Sequence, residues 1–460
     1  MNLEFNPKSC WEIYGKAEDR RAMDAMAKRY VAFLSTCKTE RETVQYIVEQ
    51  AEKAGFSPDF RTKACFRNFH GKTIFLARKG KRPLREGFRL IAAHADTPRL
   101  DLKQHPLYQD CELGMAKTHY YGGIRKHHWL ARPLALHGVI VTVEGAVIPV
   151  RIGEDADDPA FTILDLLPHL AQQQMGQKLS DAFEAEKLNI VLGHSPAEAE
   201  ENEKEGEDKT DKKIKRNILQ ILNERFGVVE EDLYSAELQM VPAGPARFVG
   251  LDRALIGGYG QDDRSCVFTA LEAMLETKEP EYPVIALFWD KEEIGSDGAT
   301  GAKSLFLEYC VEDLAEAWAP DDKPSEIFMN SKALSADVSA AIDPDYQDLH
   351  EKLNAAKLGY GPCFNKFTGS RGKYGANDAN PEYIGWLRKL FNAAGTPWQM
   401  TELGKVDKGG GGTVAKHLAT YGMDVIDFGP AVLSMHSPFE ITSKADIYAT
   451  ALAFKAFLEN

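Results

Sequence analysis

Apolar residues recur at helical spacing across residues 18–54, near the start of the chain. Spacings of three and four residues place such side chains on one face of an α-helix. The pattern therefore predicts that the first part of the chain is helical. The apolar positions that carry it are Met23, Met26, Ala27, Tyr30, Val31, Leu34, Val44, Ile47, Val48 and Ala51.

Strand patterns begin at residue 74, with the short runs IFLAR and FRLIAAHAD. After Pro106 come the β-rich segments LALHGVIVTVEG and AVIPVRI. From about residue 246, helical and strand patterns alternate as far as a final helix that begins at Lys444. Such alternation is typical of an α/β sheet flanked by helices. We expect one α/β domain, residues 1–105 and 246–460, interrupted by a β-rich insertion over residues 106–245.

The tract EAEENEKEGEDKTDKK, residues 198–213, is almost free of apolar side chains. A segment of this composition buries too little surface to offset its chain entropy. It is therefore predicted to be a solvated, mobile loop of the insertion.

Composition narrows the possible functions. The chain of 460 residues is 44% hydrophobic, which allows a large core and two or three domains. Its formal net charge of -14 opposes binding to nucleic acid or to anionic membranes. We find no secretion signal and no run of roughly 18 apolar residues. The seven cysteines form no CxxC pair, so a reducing cytoplasm is the expected location.

Several polar residues stand where predicted strands end or helices begin. His94 and Asp96 follow the strand in FRLIAAHAD, where open α/β sheets gather their ligands. Their spacing puts both side chains on one face, so Asp96 could hold one ring nitrogen while His94 binds a metal. A simple local hydrogen bond between the two is the alternative.

Two aspartates, Asp262 and Asp263, precede the helix in QDDRSCVFTALEAM. One aspartate is enough to cap the helix, because it accepts the free amide hydrogens of the first turn. The second is left unexplained by capping. Bridging two cations is an alternative use for it.

Glu292 and Glu293 end the strand-like run VIALFWDKEE, Asp337 follows a short apolar run, and His436 precedes the last helix. Each taken singly is compatible with a structural role. Together with the residues above they supply two imidazoles and several carboxylates, which is the ligand mix of a two-zinc hydrolytic site. In such a site one glutamate ligates metal, and its neighbour takes a proton from the acidified water.

The ordered set of motifs resembles the aspartyl aminopeptidase family of dizinc exopeptidases along nearly the whole chain. The segments that carry the resemblance are HADTPRLDLK, YYGG, FTILDLLPHL, QDDRSCVFTAL, DKEEIGSDGATGA, SADVSAAIDPDY, the GP before Lys366, GGGGT and LSMHSPFE.

The resemblance implies a mixed-sheet zinc-exopeptidase domain and a ligand set for two zinc ions, with cobalt or manganese as alternatives in one site. His94, Asp262 and Asp337 would hold one ion. Asp262, Glu293 and His436 would hold the other, and Glu292 would be the general base. Asp262 is preferred to Asp263 as the bridge because only that register aligns the following helix with the family's helix without a gap.

The family also carries an inserted dimerisation domain and assembles as a tetrahedral dodecamer. His169 matches a histidine that family members present to a neighbouring subunit's active site, where it would stabilise the oxyanion. Capping of a local helix is the alternative role for His169. Two departures concern substrate recognition. Ala131 stands where relatives often have aspartate, and Lys366 is displaced by about one position, which makes Arg371 a competitor for reading an acidic side chain.

The sequence thus predicts a metalloaminopeptidase that removes single N-terminal residues, Asp or Glu above all, from peptides. The alternatives are an aminopeptidase of non-acidic specificity, a related dizinc deacylase or carboxypeptidase, and a non-catalytic scaffold. Because all six ligand and base positions are filled, the scaffold is disfavoured.

Overall fold

The computed structural model describes residues 3–198 and 212–460. The chain forms two compact units. The first comprises Met1–Thr97 and Pro245–Asn460, and the second is Pro98–Gly244. The sequence placed the first division after residue 105, whereas the structure places it after Thr97. The reason is that one strand, Arg99–Asp110, runs through this stretch without a break.

The helices lie mainly in the first unit. Their bounds are α1 (Cys10–Ile13), α2 (Ala17–Thr36), α3 (Glu40–Lys53), α4 (Gln172–Met175), α5 (Leu179–Ala182), α6 (Lys213–Phe226), α7 (Gln261–Glu276), α8 (Phe306–Trp318), α9 (Pro324–Met329), α10 (Pro381–Ala394), α11 (Ala415–Ala419) and α12 (Lys444–Glu459).

The strands are distributed over both units. Their bounds are β1 (Ala64–Phe69), β2 (Thr73–Arg78), β3 (Arg89–His94), β4 (Arg99–Asp110), β5 (Leu113–Tyr121), β6 (Leu134–Val141), β7 (Val147–Ile152), β8 (Thr162–Ile163), β9 (Ile190–Gly193), β10 (Ala236–Pro242), β11 (Arg247–Val249), β12 (Leu255–Gly258), β13 (Val284–Trp289), β14 (Lys332–Ser335), β15 (Ser339–Ala340), β16 (Cys363–Asn365), β17 (Gly369–Ser370), β18 (Gln399–Thr401), β19 (Gly410–Gly411), β20 (Asp424–Gly429), β21 (Ala431–Leu433) and β22 (Glu440–Ser443).

An eight-stranded mixed sheet organises the first unit, in the order β1-β2-β13-β3-β14-β20-β16-β18. The four central strands β13, β3, β14 and β20 run parallel, and antiparallel pairs join them to β2 and β16. The α/β class predicted from the alternating pattern is confirmed. The last helix begins at Lys444, as predicted.

Both faces of this sheet are covered, which explains why its central strands read as continuous apolar runs. In β13 every residue is buried. Val284, Ala286 and Phe288 pack into one hydrophobic core, together with side chains of α2, α3, α7, α10 and α12. Ile285 and Trp289 face the opposite core, which includes side chains of α8, α9 and α11. The first unit also contains a five-stranded sheet, β11-β12-β22-β21-β15, and a two-stranded sheet, β17-β19.

The second unit contains a seven-stranded sheet in the order β7-β6-β10-β4-β5-β9-β8, with antiparallel pairing throughout. It also contains helix α6, which begins at Lys213. The predicted loop over residues 198–213 therefore ends in a helical residue, and its residues 199–211 lie outside the described part of the chain. Among the described residues, no helix is long and apolar enough to cross a membrane.

Candidate active site

The carboxyl ends of three parallel strands meet at one edge of the large sheet. β3 ends at His94, which lies directly opposite Trp289, the last residue of β13. β14 ends at Ser335 on the other side of β3. Since polar residues follow all three strand ends, the sheet itself brings His94, the glutamate pair and Asp337 together.

The glutamate pair lies on a single tight turn after β13. The turn Glu292–Ile294 is flanked by Lys291 and Gly295, both with left-handed backbone conformation (φ 68° and 93°). Asp96 accepts hydrogen bonds from the backbone N–H groups of both glutamates, Glu292 at 3.1 Å and Glu293 at 3.2 Å. The turn is thereby fixed to the strand that carries His94.

Asp96 also contacts the His94 ring. One carboxylate oxygen of Asp96 lies 3.3 Å from His94 Nδ1, and the Asp96 carbonyl oxygen lies 3.1 Å from the same nitrogen. Both side chains are buried. The other ring nitrogen, His94 Nε2, faces the carboxylates of Asp262 and Asp337.

The adjacent aspartates at the start of α7 have different partners. Asp262 places Oδ1 at 3.2 Å from His94 Nε2 and Oδ2 at 3.2 Å from His436 Nε2. Asp263 instead accepts a hydrogen bond from the backbone N–H of His94 at 3.2 Å. The peptide bond between the two aspartates is cis. Neither aspartate caps α7, whose N-cap residue is Gly260 and has no side-chain capping bond.

Each histidine has a further carboxylate beside it. His94 Nε2 lies 3.9 Å from Asp337 Oδ1, and His436 Nε2 lies 3.4 Å from Glu293 Oε1. All five side chains that the resemblance implies as ligands are therefore close to one another.

Two triads of possible ligand atoms have their members within 4.8 Å of one another: His94 with Asp262 and Glu293, and His94 with Asp263 and Asp337. The second triad makes Asp263 a geometric competitor for one metal position. Of the two adjacent aspartates, however, Asp262 is the one whose carboxylate lies beside both His94 and His436.

The site concentrates negative charge in a buried space. Burial raises the pKa of Glu292 to about 7, with help from the neighbouring Asp96. Burial and the charge on Asp262 hold the pKa values of Glu293 and Asp337 well above their usual range. Burial alone would also raise the pKa of Asp262, but hydrogen bonds from His436 and His94 outweigh it and lower that pKa. Nearby cations would relieve this mutual repulsion.

The donor atoms fit zinc. Asp262 Oδ1 and Glu293 Oε1 are buried, and each faces a histidine nitrogen, at 3.2 Å and 3.4 Å, without a well-formed hydrogen bond. Buried polar atoms are normally satisfied, and a cation between each oxygen and the facing nitrogen would satisfy both. Imidazole nitrogens and carboxylate oxygens are ligands that Zn²⁺ accepts.

The other predicted site residues lie elsewhere on the chain. His169 belongs to the second unit, in the exposed turn Pro168–Leu170. Lys366 directly follows β16 and pairs with Asp378, which also pairs with Lys373. Arg371 is exposed, with a left-handed backbone conformation (φ 51°).

Sequence reasoning missed two residues that shape the site. Glu440 is buried and accepts hydrogen bonds from the backbones of Asp262 and His436. Gly429 ends β20 against the Asp337 carbonyl oxygen, at a position where an added Cβ would lie 2.1 Å from that atom. The sequence signal for Glu440 was its place at the end of the motif LSMHSPFE, four residues after His436.

Comparison with known proteins agrees with this geometry. Residues 33–458 match the family model described as aminopeptidase I zinc metalloprotease, M18. The chain belongs to the M18 family of zinc metallopeptidases. Accordingly it is a zinc aminopeptidase, which argues against the carboxypeptidase, deacylase and scaffold alternatives.

The M18 relatives match over their full length. The chain is 49% identical to a probable M18 family aminopeptidase 1 of Clostridium acetobutylicum, covering 98% of each chain. It is 44% identical to the Thermotoga maritima protein of the same description, covering 99% of this chain and 100% of the relative.

Solved M18 structures have the same fold. The T. maritima crystal structure superposes with a TM-score of 0.92, at 44% identity, covering 99% of this chain and 100% of that one. The C. acetobutylicum aminopeptidase I structure also gives 0.92, at 46% identity and full coverage of both chains. These relatives confirm the zinc-exopeptidase fold predicted from the motifs.

Proposed function

We propose that this aminopeptidase uses two zinc ions per chain. The observation that carries the proposal is the position of Asp262, whose two carboxylate oxygens each lie 3.2 Å from a different histidine. One ion would be held by His94, Asp262 and Asp337. The other would be held by Asp262, Glu293 and His436.

The zinc ions, when bound, would polarise the scissile carbonyl and acidify the attacking water. Glu292 is the proposed general base, which takes a proton from that water and returns it to the leaving amine. Asp96 accepts the backbone N–H of Glu292 at 3.1 Å, which fixes the turn that carries this base beside the proposed ligands. His169 is proposed to donate a hydrogen bond to the oxyanion in the site of a neighbouring copy.

The proposed substrates are peptides with a free N-terminal Asp or Glu. Lys366 and Arg371 are the two residues proposed to bind the acidic side chain of the substrate. A second candidate function, non-acidic specificity, is favoured by one contact: Lys366 is already neutralised by Asp378. An acidic substrate would have to compete with that carboxylate.

The chain is further proposed to assemble as a tetrahedral dodecamer of identical subunits, with residues 106–245 serving as the dimerisation domain. A related structure is described as the S. cerevisiae mApe1 dodecamer, with a TM-score of 0.78 at 21% identity. Light scattering of the purified protein tests the assembly. A mass of twelve times the 51.2 kDa chain is expected, and a stable dimer would refute the dodecamer.

Metal removal tests the central proposal. After chelation and dialysis, hydrolysis of aspartyl and glutamyl 4-nitroanilides should fall at least a hundredfold. It should return when two equivalents of zinc per chain are added, and parallel additions of cobalt and manganese compare the alternative metals. Full recovery at one equivalent would refute the two-ion site. Faster turnover of leucyl or lysyl substrates would replace acidic specificity with the second candidate function.

A further inference from the structure

We propose that Glu440 is a positioning residue for the zinc ion assigned to Asp262, Glu293 and His436. It holds the backbones of Asp262 and His436 in place relative to each other. The inference rests on the ligand assignment made in the proposed function. It adds a residue that acts through the backbones of two proposed ligand residues.

Both oxygens of the Glu440 carboxylate are used. Oε1 accepts the backbone N–H of His436 at 2.7 Å, and Oε2 accepts that of Asp262 at 3.1 Å. The residue is 1% exposed. One carboxylate therefore joins two backbone segments that are far apart in sequence, at the point where His436 Nε2 and Asp262 Oδ2 lie 3.2 Å apart.

The backbone of His436 needs such support. Its φ of 62° is in the left-handed region, which costs energy in a residue other than glycine, and Ser434 has a similar φ of 55°. A strained conformation persists only when its surroundings fix it. The short hydrogen bond from His436 N–H to Glu440 is one interaction that does so.

Glu440 is itself rigidly held. It is the first residue of β22 and lies opposite Gly258 of β12. Its carbonyl oxygen accepts a hydrogen bond from the Gln261 side chain at 2.6 Å, and the Gln261 side chain in turn accepts one from the Tyr30 hydroxyl at 3.2 Å. Gln261 and Tyr30 are fully buried. Because Glu440 is fixed in the five-stranded sheet, its carboxylate holds the backbones of Asp262 and His436 in place relative to that sheet.

Only a glutamate satisfies this arrangement. Glutamine would place an NH₂ group against one of the two N–H donors, so one hydrogen bond would be lost and two donors would face each other. Aspartate keeps two acceptor oxygens but is one methylene shorter, so it would not reach both N–H groups. Glu440→Gln and Glu440→Asp therefore break the same arrangement in two different ways.

The chain offers a matched control in Asp446. This carboxylate is also fully buried, and it also accepts two backbone N–H groups, those of Gly359 at 2.7 Å and Gly361 at 2.8 Å. The Asp446 carboxylate accepts hydrogen bonds from Gly359, Gly361 and Cys10, and none of these residues is a proposed zinc ligand. Asp446→Asn should therefore lower the melting temperature without changing zinc binding.

The test is calorimetric titration of the metal-free, full-length protein with zinc chloride, with melting temperatures recorded alongside. The wild type should bind two ions per chain. Both Glu440 variants should bind one ion with affinity close to that of the wild type and the other 10- to 100-fold more weakly, the usual effect of losing an outer partner of a ligand. Asp446→Asn should bind both ions as the wild type does.

Wild-type affinity for both ions in the two Glu440 variants would overturn the inference. So would an equal loss of zinc affinity in Asp446→Asn, since that would reduce the effect to general destabilisation. A wild type that binds fewer than two ions would instead refute the ligand assignment, and peptidase activity, assayed separately, decides the proposed function.

Discussion

The Nε2 atom of His436 lies 3.2 Å from Oδ2 of Asp262. The other oxygen of that carboxylate is equally distant from the corresponding nitrogen of His94. One aspartate side chain thus lies between two imidazoles contributed by distant parts of the chain. This relationship distinguishes Asp262 from its neighbour Asp263, which accepts a hydrogen bond from the backbone N–H of His94.

Substitution of the two aspartates should have unequal effects. Asp262→Asn removes the charge shared by both proposed ions, so zinc content after dialysis should fall from two to less than one per chain. Asp263→Asn keeps an oxygen for the His94 N–H and should retain both ions. Inductively coupled plasma mass spectrometry measures the content. Greater loss in Asp263→Asn would assign the bridge to Asp263.

Glu292→Gln should leave zinc binding and assembly intact while abolishing proton transfer. General acid–base catalysis contributes about 10²- to 10⁴-fold, so kcat should fall by that factor. The neighbouring variant Glu293→Gln is the comparison, because it should reduce zinc content as well. Unchanged turnover in Glu292→Gln would remove this residue from the role of base.

Specificity should respond to the cations near β16. If Lys366 reads an acidic side chain, Lys366→Ala should lower kcat/KM for aspartyl substrates by about 10- to 100-fold, the value of a charged hydrogen bond. Activity on leucyl substrates should change little. Asp378→Asn should have the opposite effect on aspartyl substrates, since it frees Lys366 from its ion pair.

Arg371→Ala and Lys373→Ala complete that comparison. Lys373 shares Asp378 with Lys366 but has no proposed role, so its substitution should not reduce aspartyl selectivity. A loss confined to Arg371→Ala would transfer the recognition role to Arg371. The measurement is the ratio of kcat/KM between aspartyl and leucyl 4-nitroanilides for each variant.

Gly429→Ala should disturb the His94 side of the site. The new Cβ would lie 2.1 Å from the Asp337 carbonyl oxygen, so the segment carrying Asp337 must move. Overpacking of this kind costs about 1–3 kcal/mol, and zinc affinity should fall with the melting temperature.

Gly385→Ala is the control, because nothing lies within 4 Å of its added Cβ. It lies inside α10, where alanine should stabilise by about 0.5–1 kcal/mol. Normal zinc binding in Gly429→Ala would contradict the prediction.

Asp427 should make stability depend on pH. Burial raises its pKa to about 6, although hydroxyl groups including that of Thr413 at 2.6 Å hydrogen-bond to it. The folded protein therefore holds this proton more tightly than the unfolded chain, so the contribution to stability is full below about pH 4 and is lost as pH rises through about 6.

The variant Asp427→Asn has no ionisable group at this position, so its stability lacks this dependence on pH. The melting temperature of Asp427→Asn relative to the wild type should therefore rise between pH 4 and 7, by the equivalent of about 2–3 kcal/mol. Other buried carboxylates titrate in both proteins and cancel from the difference. A difference that stays constant with pH would refute the shifted pKa of Asp427.

Local patterns in the sequence were enough to predict most elements and much of the candidate chemistry. The alternation of helical and strand patterns predicted an α/β sheet, and His94 does end one of its strands. The helix that follows the aspartate pair and the helix from Lys444 also lie where the pattern placed them. These features are local, because helix and strand periods are written in consecutive residues. The ordered motifs then identified the family.

Tertiary structure alone decided which polar atoms meet. The two aspartates are equivalent in a local pattern, but strand β3 and the loop of His436 give them different partners. Glu440 is four residues from His436, but no period or spacing relates it to Asp262. The pairing of Lys366 with Asp378 depends on loop geometry. The contacts of Asp262 with His94, His436 and Glu440 join residues distant in sequence, so they exist only once the sheets have set the relative positions of these segments.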